Sequence, residues 1–148
     1  MLDAINRARG AGKRIGFTCS TFDLLHAGHV AMLAEARAQC DFLVVGLLMD
    51  PTTDRPETKQ RPVQSLFERW LQLQGVRYVD TVVPFSSEQD LVDILLVLRP
   101  DVRIVGEEYS EVDFTGRNLT PELYFNSRKH SFSSTDLRKR VLERGSRE

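Results

Sequence analysis

The seven residues Phe42-Leu43-Val44-Val45-Gly46-Leu47-Leu48 constrain this chain more than any other stretch. A strand with one wet face alternates apolar and polar side chains. An unbroken apolar run this short reads as a strand covered on both faces, as parallel strands are. Parallel neighbours need crossover connections, usually helices, and the rest of the chain alternates accordingly. Ile15–Ser20 reads as a first strand and 28–39 as a helix with Val30, Leu33 and Ala34 on one face. The helix over 65–74 opens at Ser65 with Glu68 three residues later, a capping box. Residues 78–85 read as a third strand, Glu88–Leu98 as a helix stopped by Pro100, 102–105 and 123–125 as short strands, and 134–144 as a charged terminal helix. A short helix over 1–9 ends at Gly10 and Gly12. Residues 110–120 are irregular, and 50–62, with Pro51, Pro56 and Pro62, is a mobile loop. This alternation predicts an α/β fold, a single Rossmann-like doubly wound parallel sheet with helices on both faces, as one domain over 1–148.

Composition narrows the function classes. Of 148 residues 41% are hydrophobic, enough for one core. Twenty basic and 21 acidic side chains leave a net charge of −1, which asks for neither nucleic acid nor an anionic membrane. Two cysteines without a pairing pattern suggest a reducing compartment. Residues 1–12 are polar and basic with no apolar core, unlike a secretory signal. No apolar run nears the ~20 residues that span a bilayer. The expectation is a cytoplasmic protein.

The chemistry concentrates at His26-Ala27-Gly28-His29, between the first strand and the first long helix. The first turn of a helix presents unpaired N–H groups and the positive end of the peptide dipoles, so it favours phosphate. Gly28 lets backbone approach an anion with no Cβ in the way. Each imidazole can donate to phosphate oxygens and can be charged or neutral near pH 7. A metal site would want further ligands nearby. His130 is distant in sequence and Cys19 and Cys40 lack metal-site spacing, so no metal is expected on the pair.

Ligands of such sheets bind beyond the carboxyl ends of the strands. That rule gathers residues 18–23, Asp50 with the loop to Pro62, Gly106-Glu107-Glu108-Tyr109, and 127–135. The last segment joins Arg128 and Lys129 to Ser131, Ser133, Ser134 and Thr135 at a second helix start, a second phosphate clamp opposite the histidines. Lys59 and Arg61 lie in the mobile loop, which could close over a polyphosphate.

These residues carry a family resemblance. Thr21-Phe22-Asp23-Leu24-Leu25-His26-Ala27-Gly28-His29 resembles the signature of the His-x-Gly-His nucleotidyltransferase superfamily. Within it the chain is similar to the small cytidylyltransferases, of which glycerol-3-phosphate cytidylyltransferase is the type. The similarity runs through Asp41–Gly46, Glu68-Arg69, Arg77–Pro84, Gly106–Tyr109 and Phe132-Ser133-Ser134-Thr135, with Arg128 five residues before the first of those serines. A second resemblance is to the adenylyltransferase domain that activates heptose phosphate for lipopolysaccharide. Ala11–Ile15, Arg61-Pro62-Val63 and Leu98-Arg99-Pro100-Asp101 look more like that group, whereas Thr21-Phe22-Asp23 and the Arg77 segment lean to the cytidylyl one. Arg128-Lys129-His130 and Asp113–Asn118 follow neither pattern, which leaves the acceptor open.

The resemblance implies transfer of a nucleotidyl group, CMP from CTP in the main reading, to a small phosphorylated alcohol such as glycerol 3-phosphate, with release of pyrophosphate. The alternatives are adenylyl transfer from ATP to a sugar phosphate, and a nucleotide-binding module without turnover. It implies His26 and His29 as stabilisers of phosphoryl charge, Lys59 and Arg128 as neutralisers of the outer phosphates or the acceptor phosphate, and Gly28, Ser133, Ser134 and Thr135 as phosphate binders. Thr21 and Phe22 would line the nucleotide pocket, and Asp50, Arg77 and Glu107 would contact acceptor or base. Mg²⁺ would arrive with the triphosphate. Asp23 either touches that ion or is a structural carboxylate that orients the turn. A homodimer is implied, paired near 77–85 through exposed apolar surface.

Overall fold

A computed structural model describes residues 1–146. In chain order the elements are α1 (Leu2–Gly10), β1 (Ile15–Ser20), α2 (Ala27–Arg37), β2 (Phe42–Leu48), α3 (Leu66–Gln74), β3 (Thr81–Phe85), α4 (Glu88–Leu98), β4 (Val102–Gly106), a single 3₁₀ turn at Glu107–Tyr109, β5 (Glu122–Asn126) and α5 (Ser134–Gly145). The strands form one sheet in the order β3-β2-β1-β4-β5, and every neighbouring pair is parallel. The chain builds outward from β1 through β2 to β3, then crosses back to lay β4 on the other side of β1. The topological switch point therefore lies between β1 and β4, and a crevice opens there at the carboxyl ends.

The apolar run of β2 serves two cores at once. Leu43, Val45 and Leu47 face α2 and α3, where they join Leu33, Ala36 and Leu73. Val44 faces α1 and α4, where it joins Ile5, Ala8, Phe17, Leu91 and Leu95. This is the doubly covered sheet that the sequence predicts.

Three features differ from the sequence reading. The first long helix starts at Ala27, and its buried stripe runs through Leu33 and Ala36, with His29 one turn above Leu33; Val30 points to solvent. The cause is the 3.6-residue period, which sets Val30 and Ala36 on opposite sides of Leu33, so that burying Ala36 turns Val30 off the sheet. The third strand begins at Thr81, because the preceding residues turn. There the Val79 N–H donates to the Val76 carbonyl, and the Asp80 carboxylate accepts from the Leu43 N–H at the start of β2. Finally, Val82, Val83 and Phe85 of β3 are buried, so the exposed apolar surface near this sheet edge is Phe67 and Leu71 on α3 rather than the strand itself. Among the described residues no helix is long and apolar enough to cross a membrane.

Candidate active site

The β1–α2 turn is wound tightly. Phe22 and Leu24 both take left-handed backbone conformations, φ 50° each, which side chains other than glycine rarely adopt. Such strain persists where surroundings over-determine it. Here Phe22 is buried, and its ring lies 5.4 Å from that of His29. Asp23, only 5% exposed, accepts from the Val63 N–H (2.9 Å) and the Gln64 N–H (3.0 Å), and pairs with Arg138 of α5 at 2.6 Å. Burial pushes its carboxyl pKa up, but those donors outweigh burial and hold it below the usual carboxylate range. These contacts tie the turn to the loop before α3 and to α5, as the structural role open in the sequence requires.

The two imidazoles form a reciprocal cap. The Gly28 N–H donates to Nδ1 of His26 at 3.0 Å, and the His26 N–H donates to Nδ1 of His29 at 3.2 Å. An Nδ1 that accepts carries no proton, so the proton of each neutral ring sits on Nε2. His26 Nε2 then meets Ser134 Oγ at 3.2 Å, and Ser134 Oγ lies 3.4 Å from the Asp23 carbonyl. His29 Nε2 is left to face the cavity. Burial first, and then His26, pushes the His29 pKa down to about 4; burial, His130 and Arg128 also lower that of His26. Of the two states open in the sequence, burial favours the neutral one near pH 7, with directed N–H donors.

Gly28 permits this arrangement. A Cβ there would stand 2.8 Å from His130 Cε1 and 2.9 Å from His26 Cε1. His130, set aside in the sequence for its distance along the chain, thus comes to the histidine turn. Among the described residues no three His, Cys, Asp or Glu side chains converge on a point that could hold a metal.

Three cavities meet at this end of the sheet, and Ser20 and Lys59 line all of them. The first, about 720 Å³, lies between the Thr21–Asp23 turn, the 58–62 stretch and α5, and takes in His29, Ser134 and Thr135. Another, about 460 Å³, holds His26, Gly28, His29, Arg128 and Ser133 to Thr135. The start of α5, capped by Ser133 Oγ on the Asp136 N–H, thus faces the histidine turn, where the sequence places a second clamp.

Other sequence candidates fall elsewhere. Arg77 precedes β3, at the amino ends of the strands and away from the histidines, with its guanidinium 5.6 Å over Tyr78. It lines none of the three cavities at this crevice. Asp50 turns back to accept from the N–H and Oγ of Thr52 and lines none of the three cavities. Glu107 accepts from the Arg128 N–H at 3.4 Å and so supports that loop.

Sequence reasoning missed three arginines. Arg138 lies one helical turn after Ser134, and that i,i+4 spacing was a usable signal. Arg103 is a lone charge inside the apolar strand β4. Arg69, buried on α3, donates to the carbonyls of Thr21, Leu48, Met49 and Gln64, and so pins the carboxyl ends of β1 and β2 together.

At the switch-point crevice, then, a His-x-Gly-His turn faces a hydroxyl-rich helix start. The family model described as cytidylyltransferase-like matches residues 17–140, and the chain belongs to that family. It is 45% identical over 114 residues to the bifunctional protein HldE of Acidiphilium cryptum, covering 77% of this chain and 23% of that protein. It is 40% identical over 117 residues to HldE of Paramagnetospirillum magneticum, covering 79% and 24%. The chain thus spans about a quarter of the length of the curated relatives it matches. Among solved structures, a lipopolysaccharide core biosynthesis protein from Thermoplasma volcanium aligns over 90% of both chains with a TM-score of 0.58 at 20% identity, a likeness of fold.

Proposed function

We propose that this protein transfers an adenylyl group from ATP to the phosphate of a phosphorylated sugar, releasing pyrophosphate. The observation that carries the transfer is the pair of neutral imidazoles, one with a free Nε2–H, facing the start of α5 across one cavity. The HldE relatives support the adenylyl alternative over CMP transfer to glycerol phosphate, which was the main reading of the sequence. The segment that leaned to the cytidylyl reading opens at the far end of the sheet, where Arg77 lies over Tyr78, Asp80 accepts from the Leu43 N–H, and neither lines the three cavities.

An acceptor phosphate oxygen attacks the α-phosphorus; a new P–O bond forms as the bond to the pyrophosphate bridging oxygen breaks, and both electrons leave with pyrophosphate. No residue need become covalently attached, so the protein works by positioning and charge stabilisation. His29 Nε2–H donates to an oxygen of the reacting phosphorus. His26, held by Gly28 and Ser134, fixes the His29 ring and the helix start. Arg128, Lys59 and the hydroxyls of Ser133, Ser134 and Thr135 bind the outer phosphates. Mg²⁺ arriving on the triphosphate would neutralise phosphate charge. We also propose a homodimer paired along the β3 edge, supported by the position of β3 at the end of the sheet and by Phe67 and Leu71 exposed beside it.

Pyrophosphate release tests the reading, with ATP and CTP each offered to a set of sugar phosphates and to glycerol 3-phosphate. ATP with a sugar phosphate should turn over fastest. Faster turnover of CTP with glycerol 3-phosphate would restore the cytidylyl reading, and nucleotide binding with no release would make the protein a non-catalytic module.

A further inference from the structure

The third cavity, about 410 Å³, lies over the α4 side of the sheet, whereas the histidines lie over the α2 side. Phe85 and Leu91 wall it, and Arg103 lines both it and the histidine cavity. Arg103 is 5% exposed. It donates from Nη1 to the Thr115 carbonyl and lies 5.0 Å from the Phe114 ring, and among the described residues no carboxylate pairs with it. A guanidinium this deep without an anion is costly, and a phosphate supplies the missing charge with matching geometry.

The loop beyond it is built, although it has no regular structure. Arg117 donates to the carbonyls of Tyr109, Ser110 and Val112 and lies 5.2 Å over the same Phe114 ring. Gly116, at φ +74°, brings the backbone against Leu95; a Cβ there would stand 2.5 Å from it and 3.0 Å from Arg103 Nη1. The loop is thereby locked to Arg103. It presents Asp113 and Tyr109 at the rim of the cavity, an exposed carboxylate and phenol suited to hydroxyl groups.

We infer that this α4-side cavity is the acceptor site: Arg103 anchors the acceptor's phosphate, and the 109–117 loop selects a body that carries several hydroxyls. The inference rests on the nucleotidyl-transfer reading. It explains why two phosphates can meet, since Ser20 and Lys59 line this cavity and both nucleotide-side cavities. It also gives a role to Asp113–Asn118, the segment that matched neither resembled family.

The test is a titration of ¹⁵N-labelled protein, saturated with non-hydrolysable α,β-methylene-ATP, by mannose 1-phosphate, glycerol 3-phosphate or inorganic phosphate. Mannose 1-phosphate should shift the amides of 103–116 more than those of 26–29 or 133–135. Arg103→Gln should weaken its binding at least tenfold and leave the Kd of the ATP analogue within twofold. Asp113→Asn, on the exposed rim and safe for folding, should weaken mannose 1-phosphate more than inorganic phosphate. Shifts confined to 26–29 and 133–135, no binding at millimolar sugar phosphate, or equal weakening of both ligands by Asp113→Asn would each overturn the assignment. Failure of the ATP analogue itself to bind would instead strike the proposed function.

Discussion

His26 and His29 stack with their ring centroids 3.9 Å apart, and the backbone N–H of the first donates to Nδ1 of the second. The motif is thus a single unit in which the backbone N–H of His26 sets the tautomer of His29 and the His26 ring stacks against it. His29→Gln should keep the fold and lower kcat at least ~100-fold, the scale of losing one preorganised donor. His26→Ala should cost similar activity, plus about 1 kcal/mol from the lost helix cap. Steady-state kinetics paired with thermal melts separate the two; near-normal turnover in either variant would remove the ring from the chemistry.

Acid should destabilise the protein through these rings. His29 is held at about 4 against an ordinary 6.5, so between those values the unfolded chain binds the proton and the folded one resists it. Stability from this source is complete above pH 6.5 and falls as pH drops toward 4, by roughly 3 kcal/mol at most. The Tm should decline over that window, and His29→Gln should flatten the decline. An unchanged slope in the variant would show that the ring is not buried in its neutral form.

Gly28→Ala sets helix propensity against the site. Alanine favours a helix by about 1 kcal/mol over glycine, yet its Cβ would stand under 3.0 Å from both His26 and His130. We expect little change in Tm and a loss of kcat of ten- to a hundredfold. A variant that is active and more stable would mean the rings can move aside freely.

Asp23→Ala should be the most destabilising of these changes, about 3 kcal/mol in urea denaturation, because it strands two backbone donors and Arg138 at once. A loss below 1 kcal/mol would show that Arg138 finds another partner without cost.

Lys59 is exposed yet lines all three cavities. We expect residues 50–62 to gain protection from hydrogen exchange when ATP binds. Lys59→Ala should then reduce turnover more than it weakens the nucleotide-sugar product, which lacks the pyrophosphate. Absence of protection, with equal losses for both ligands, would leave Lys59 as a solvated surface residue.

Much of the fold was legible because its signals are local. The period of β2, the Ser65–Glu68 box and the Pro100 stop each act within a few residues, and the structure holds all three elements close to where they were read. The third strand was overread because Tyr78 and Val79 have strand-like side chains, while the turn that Asp80 anchors depends on β2, a different part of the chain.

By itself, then, the sequence determined a parallel sheet covered on both faces, a histidine pair at the junction of β1 and α2, and a hydroxyl-rich helix start to oppose it. Tertiary structure decided the rest. His26 meets Ser134 across 108 positions, and Asp23 meets Arg138 across 115. Those meetings make Asp23 a brace and leave a free donor on His29, while strand direction puts Arg77 at the far end and Arg103 at the crevice. The physical reason is range. Periodicity and capping are set by neighbours along the chain, but the protonation state, tautomer and ligand-facing charge of a side chain are set by whatever burial and topology bring against it.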